Sequence, residues 1–291
     1  MPRTAPPFSQ SVSPGIDAPS APLAPPPRAR RQRVQSAEIG MVVLKGLARL
    51  GGRASLTALA AHVGESPAKV HRYLASLQEE GLVAQDAGSQ HYLLGVEAIG
   101  IGLAAMRQAD PIRLAEPALA RLRERLEVTS FVAVLGNKGP TVLRIEEPGL
   151  PVTVNVRAGS VLPLLWSATG RAFLGFLDER AVRLMAEDEL AQALPALRSQ
   201  LDADAPIDRL RDSVRAAGCA SVVDTNLRGI SAVSAPVHDH TGRVCAVITA
   251  LGATGGFDAS PGGPIAQAVC AEAHELGRLL GHQAPAASER A

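Results

Sequence analysis

The chain has 291 residues, 46% apolar and 20% charged, which is enough apolar material for two modest domains rather than one large one. Aromatic residues make up only 3%, so a surface that stacks successive bases, which consumes exposed rings, is excluded. A net charge of +1 shows no basic sheath for nucleic acid at whole-chain level, and three dispersed cysteines without a CxxC pair exclude a disulfide scaffold or Cys-rich zinc module and fit a reducing compartment.

Nine prolines fall within residues 1–27, and residues 28–33 read Arg-Ala-Arg-Arg-Gln-Arg. Such a segment cannot bury apolar surface to offset its ordering entropy, so residues 1–33 are expected to form a disordered arm. Its Arg cluster fits either a solvated tail or a basic arm on phosphates. Residues 1–94 hold 10 Lys/Arg against 6 Asp/Glu, and the remainder 19 against 22, so near-neutrality hides nets of +4 and −3. Most of the excess lies in the arm.

From Val43, apolar residues recur at helical spacing through Leu44, Leu47 and Leu50, and Gly51-Gly52 ends the element. Thr57 is the expected N-cap of a second short helix, with Leu56 before it, and Gly64 ends that helix in a left-handed cap. Ser66-Pro67 opens a third helix, serine capping it and proline losing no needed hydrogen bond at the first position. Val70, Tyr73, Leu74 and Leu77 share one face of that helix. Ser66, Ala68, Lys69 and Arg72 lie opposite, near its start. Leu82-Val83 and His91-Tyr92-Leu93 flank a polar loop and form a wing. Residues 34–95 therefore read as a winged helix-turn-helix whose third helix enters the major groove. The topology alone also fits a helical interaction module that never meets nucleic acid.

A helix over Val96–Arg107 follows, so residues 96–110 form a linker helix, suited to joining subunits or to plain connection. Asp110-Pro111 caps the next helix. The period then changes to two: strands are expected at Phe131–Leu135, Val142–Ile145 and Val152–Val156, then at Ile230–Val237 and Val244–Leu251. Helices are expected at Ser167–Leu177, Pro206–Ala217 and Ile265–Leu280. Residues 111–282 thus predict an α+β domain with a mostly antiparallel sheet, and 283–291 a disordered tail.

No catalytic constellation emerges. Gly100-Ile101-Gly102 lacks a third glycine, His274-Glu275 lacks a second histidine, and Ser231 lies in no nucleophile elbow. His238, Asp239 and His240 fit a solvated hairpin tip better than a metal site. No enzyme activity, cofactor or metal is expected. The stretch Leu164–Phe173 places small and hydroxylated residues before a helix whose first amides point back at them, which suits a carboxylate or ordinary capping by Ser167 or Thr169. No apolar run reaches the roughly 18 residues that span a bilayer, so no membrane partner and a soluble, cytoplasmic protein are expected.

Over residues 38–282 the chain resembles the IclR family of bacterial transcriptional regulators. The motifs are Ala68–Leu74 with Gly81-Leu82-Val83, Tyr92–Gly95, Ser167–Leu174, and Gly229–Val237, a strand ending in Ala-Pro-Val-x-Asp. The resemblance implies double-stranded DNA as partner, bound at a palindromic operator by a homodimer or homotetramer, with contacts from Thr57, Ser66, Ala68, Lys69, His71, Arg72 and Tyr73. It further implies a GAF-like C-terminal domain that binds a small organic effector, a carboxylic or aromatic acid. Carried over by position, the pocket would use Leu162, Leu164, Ser167, Ala168, Thr169, Gly170, Asp224, Ala232, Thr249 and Leu251. Ala232 and Leu251 replace polar side chains of some relatives, which favours a larger or aromatic ligand. The alternative is a small-molecule-binding or enzymatic α+β domain whose helical module serves only protein–protein interaction.

Overall fold

A computed structural model describes residues 34–149 and 156–283. The expected arm (1–33), Val152–Asn155 of the expected strand and all but Gln283 of the expected tail lie outside the described residues. The chain divides into two compact units, residues 1–98 and 99–291.

In the first unit, α1 (Gln35–Arg49) begins well before Val43, where the apolar spacing starts, with Glu38 in its first turn complementing the helix dipole. Next come β1 (Arg53–Ala54), α2 (Leu56–Val63), α3 (Pro67–Glu79), β2 (Val83–Gln85) and β3 (Tyr92–Leu94). The strands form an antiparallel sheet in the order β1-β3-β2. The sequence reading missed β1, because two residues are too few to show alternation. Val43, Leu47, Leu59, Val70 and Leu74 are fully buried and join the three helices to Val83 and Tyr92 of the wing.

Thr57 is not the cap of α2. Ser55 holds that position with extended backbone, its Oγ accepting from Ala58 N at 3.2 Å, while Thr57 lies inside the helix and is exposed. A capping side chain must precede the first helical residue to reach the free amides, and Thr57 comes two positions too late, as the second residue of α2. Ser55→Ala is expected to cost about 1 kcal/mol, and Thr57→Ala within about 0.5 kcal/mol. Urea unfolding of the two variants checks this, and the reverse ranking would contradict the assignment.

Helix α4 (Val96–Gln108) crosses the division between the units and buries none of its residues. Val96, Ile99, Leu103 and Met106, one stripe at helical spacing, are all exposed.

The second unit contains α5 (Pro111–Leu126), β4 (Thr129–Gly136), β5 (Gly139–Glu146), α6 (Ala168–Phe176), α7 (Arg180–Gln192), α8 (Pro195–Arg198), α9 (Pro206–Ala217), β6 (Ala220–Val223), β7 (Ile230–His238), β8 (Val244–Ala253) and α10 (Pro264–Leu279). All five strands pair antiparallel in the order β5-β4-β8-β7-β6. Phe131, Ala133, Val247 and Leu251 face a core built with α6, α7 and α9. Val132, Ala246, Ile248 and Ala250 face a second core built with α5 and α10. Helices therefore cover both faces, which is why the strands are apolar almost throughout and the period-two signal is faint. That faintness hid β6. Helix α7 escaped because it buries only Val182 and Ala186, too little for an apolar stripe.

Asp110 caps α5, as expected, accepting from Ile112 N and Arg113 N. Across the second core, Arg121 donates to both oxygens of buried Glu272, tying α5 to α10.

Candidate functional site

Two surfaces follow from this folding, one in each unit. In the first, α3 buries Val70, Leu74 and Leu77 and leaves Ser66, Ala68, His71 and Arg72 exposed. Ser66 Oγ accepts from Lys69 N at 3.4 Å, and Pro67 is the first helical residue. Tyr73 is half-buried and packs beside Gly40 of α1, so its ring serves the core as well as the surface. Lys69 is not a free cation: its Nζ lies 2.8 Å from Glu65 Oε1. Glu65 precedes the helix and offsets the unfavourable placement of a lysine in the first turn. The i,i+4 spacing of the two residues was visible in the sequence, but its consequence was missed. In the wing, Arg53 of β1 donates to Ser89 Oγ at 3.0 Å and lies 3.7 Å from Asp86. Hydrogen bonds from Ser89 hold the Asp86 carboxyl below its usual range.

In the second unit, a cavity of about 40 Å³ lies between the sheet and the start of α6. Leu162, Ser167, Ala168, Thr169, Ala232, Thr249 and Leu251, all expected there, line it. So do Phe131, Val156, Val222, Asn226, Leu227 and Ile230, which sequence reasoning had not named. Their signal was weak: each is one residue of an apolar strand or loop, and only strand pairing brings them together.

Three expected residues are not on this wall. Asp224 turns away at φ 52°, its Oδ1 accepting from Gly229 N at 2.7 Å and Thr254 Oγ1 at 2.8 Å, so it closes the β6–β7 loop. Leu164 is buried in the core under α6. Gly170 packs onto that same segment, where an added Cβ would sit 2.2 Å from Pro163 O.

Two hydroxyls of the wall, those of Thr169 and Thr249, connect to a third, that of buried Ser234, which does not line the cavity. Thr169 Oγ1 and Thr249 Oγ1 are 2.8 Å apart, and Ser234 Oγ lies 2.8 Å from the same Thr249 oxygen. Ser167 Oγ accepts from Gly170 N at 2.9 Å and donates to Pro163 O, so capping is realised there and the anion-binding alternative is left to the remaining first-turn amides.

Behind the wall, the 164–165 backbone is gripped from both sides. Glu189 on α7 accepts from Leu164 N at 2.7 Å and Leu165 N at 3.1 Å, while Arg171 Nε donates to Leu165 O at 2.8 Å. Burial raises the Glu189 carboxyl above the usual 4.5, outweighing the two amide bonds, and burial lowers the Arg171 guanidinium. A group whose folded pKa is raised holds its proton more tightly in the native state. Stability is therefore lost as pH rises from the usual value through the raised one. The thermal midpoint is expected to fall over that window in the parent chain and not in Glu189→Gln; parallel midpoint–pH profiles would contradict this.

The hairpin at His238–Gly242 also differs from expectation. His238 is half-buried, stacked on His282 at 5.1 Å and edge-on to Phe176 at 6.2 Å, because β7 runs on into the packed edge of the unit. Burial, with His282 and His274, holds its pKa below the usual range. Among the described residues no group of three or more His, Cys, Asp or Glu is placed to hold a metal, and no helix is long and apolar enough to cross a membrane.

The family model of the IclR helix-turn-helix domain matches residues 36–87, and that of the bacterial transcriptional regulator IclR C-terminal domain matches residues 103–278. The chain belongs to the IclR family. The crystal structure of Pseudomonas aeruginosa HmgR is similar at 42% identity, covering 86% of this chain and 99% of that one, with a TM-score of 0.77. The transcriptional repressor IclR of Escherichia coli (strain K12) is 29% identical over 152 residues, 52% of this chain and 56% of the relative, so the match spans little more than half of that protein. The Agrobacterium tumefaciens repressor BlcR shares the fold at 18% identity, covering 86% of this chain and 99% of that one with a TM-score of 0.71. In IclR terms, the α3 face lies in the matched helix-turn-helix and the cavity in the matched C-terminal domain.

Proposed function

We propose that this IclR-family chain regulates transcription by binding a specific double-stranded DNA site as a homodimer or homotetramer, under the control of a small organic acid. The observation that carries the proposal is the α3 face: a serine-capped helix, anchored by Val70, Leu74 and Leu77, that presents Ser66, Ala68, Lys69, His71 and Arg72 beside a wing. A helix held that rigidly can enter a major groove, its small Ala68 allowing close approach and its cations meeting phosphates and base edges. Thr57 on α2 is exposed and suited to a backbone contact. The unburied apolar stripe of α4 supports self-association, which supplies the two-fold symmetry a palindromic site requires.

The effector is assigned to the α6–sheet cavity, with the Thr169 and Thr249 hydroxyls, the latter held by Ser234, and the α6 amides for a carboxylate and Leu162, Ala232 and Leu251 for its apolar body. At about 40 Å³ this cavity has room for no more than a few waters. Ligand sites commonly measure some 300–1,000 Å³, so an acid must select an expanded state of the wall. Coupling to DNA is then reciprocal: DNA alters acid affinity by the same factor that the acid alters DNA affinity.

Fluorescence anisotropy with the duplex upstream of the chain's own reading frame tests the proposal, alongside a scrambled duplex and with sedimentation of the complex to count subunits. Retention of the upstream duplex over the scrambled one is expected at low salt. Equal or absent binding, with and without a panel of carboxylic acids, favours the interaction-module alternative.

A further inference from the structure

The wall of the α6–sheet cavity is uneven in its exposure. Of the described residues that line it, Asn226 and Leu227 are exposed, Ile230 is half-buried and the others are buried. Leu227 is 42% exposed while lining the cavity, so a single residue stands there between the interior and water. The strand, α6 and Leu162 parts of the wall are fastened. β4, β7 and β8 each pair with a neighbour on both sides, and parting them would break ladder hydrogen bonds. The start of α6 packs on the 164–165 backbone that Glu189 and Arg171 hold, and Leu162 N donates to Pro140 O at 2.8 Å. The loop after β6 is tied chiefly at its ends. Asp224 N donates to Ile230 O at 3.1 Å, the Asp224 carboxylate holds Gly229 N and Thr254, and Thr254 N donates to Gly229 O at 2.8 Å. Asp224 and Gly229 both have left-handed backbone, at φ 52° and 79°. Between them, residues 225–228 make one backbone bond, Leu227 O accepting from Ile230 N at 3.2 Å. The Asn226 and Arg228 side chains make no hydrogen bond or ion pair among the described residues.

We propose, on the assignment of the effector to this cavity, that residues 225–228 are its lid, hinged at Asp224 and Gly229, with Leu227 the plug that an entering acid displaces. Swinging the loop outward gives up only the part of Leu227 that is buried and one backbone hydrogen bond. Retreat of Leu162 or Leu251 would expose a side chain now almost wholly covered. The loop is therefore the least costly route from a cavity of about 40 Å³ to the expanded state that an acid selects. Strand register keeps that movement away from the polar end of the site. Thr249 pairs with Ser234, Leu251 with Ala232 and Ala253 with Ile230. Ile230, where the loop rejoins β7, is thus four residues from the Thr249 row, about 13 Å along the strand. The lid can open while the Thr169–Thr249 hydroxyl pair stays in place.

The test uses the full chain carrying Ala232→Cys, which puts a thiol on the cavity wall, and iodoacetamide, which is too large for the closed cavity. Trypsin then releases residues 229–243, which hold no native cysteine, so mass spectrometry reads that thiol alone. Adding Leu227→Ala is expected to speed labelling about tenfold, by removing the burial that keeps the plug seated. Leu184→Ala, which truncates a 52% exposed leucine on α7, should leave the rate unchanged. Equal rates with and without Leu227→Ala, or the same acceleration by Leu184→Ala, would overturn the lid. If Ala232→Cys fails to fold, Thr169→Cys gives the same reading from residues 158–171, which also lack a native cysteine. A second arm uses Trp166, the chain's one tryptophan and the neighbour of Ser167 on the wall, to follow carboxylic acids by stopped-flow fluorescence. Leu227→Ala should speed both association and release of any acid that the parent chain binds. Unchanged rates for such an acid would overturn the lid and leave the effector site standing. Faster labelling with no acid bound by either chain would keep the lid and remove the effector assignment.

Discussion

Gly170→Ala is expected to destabilise the second unit by about 3 kcal/mol, the upper end of ordinary overpacking. The reason is the identity of the atoms in the way. An added Cβ would sit 2.2 Å from Pro163 O, 2.4 Å from Leu164 Cα and 2.6 Å from Leu164 O, all of them backbone. That backbone cannot retreat, because Glu189 and Arg171 grip residues 164–165 from either side. By contrast, a Cβ on Gly175 would meet chiefly the Val214 side chain, which can yield. At roughly 2–4 °C per kcal/mol for a unit of this size, the thermal midpoint should fall by about 6–12 °C. Any acid-induced rise in the midpoint should vanish with it, because Ser167, Ala168 and Thr169 of the cavity wall ride on the same turn. Gly100→Ala on α4 is the control: nothing lies within 4 Å of its added Cβ, and alanine in a helix interior should stabilise by about 0.5–1 kcal/mol. Equal midpoints for the two variants would refute the packing argument.

Lys69→Ala with Arg72→Ala is expected to weaken duplex binding and to flatten its salt dependence. If each side chain neutralises one phosphate, the slope of log K against log salt falls by about 1.8. If Arg72 instead meets a base edge, the slope falls by about 0.9 and discrimination at one base pair drops by roughly 1–3 kcal/mol. Glu65 supplies a companion test of opposite sign. It holds Lys69 at 2.8 Å, with both side chains about a third exposed, so the pair is worth at most about 1 kcal/mol. Glu65→Gln frees the ammonium and removes a nearby negative charge, and the duplex should bind more tightly at low salt. An unchanged slope in the double variant, or weaker binding by Glu65→Gln, would remove α3 from the interface.

The sequence determined what rests on local chemistry. Ser66-Pro67 and Asp110-Pro111 started helices where a capping oxygen and a pre-set φ coincide, and Gly64 ended one at φ 73°. The apolar spacing of Val70, Leu74 and Leu77 fixed which side of α3 is buried and therefore which side is free. The motifs then carried the family resemblance, which spans most of the chain. The tertiary structure alone decided matters that depend on residues distant in sequence. Ser55 displaced Thr57 as a cap because the exact start of α2 follows the bend after β1, which no local pattern announces. Asp224 left the cavity wall because its carboxylate is taken by Gly229 and Thr254, and the latter is 30 positions away. Phe131, Val222 and Ile230 joined that wall only once strand order was known, and Glu189 met the 164–165 backbone from an unforeseen helix.

Few aromatics and a net charge of +1 still exclude a stacking platform and a basic sheath, yet a few exposed side chains on one buried-backed helix need neither. Periodicity reports which face of an element is apolar, a short-range property. Which apolar faces meet and how small a cavity they leave are set by long-range packing, which the order of residues along the chain does not display.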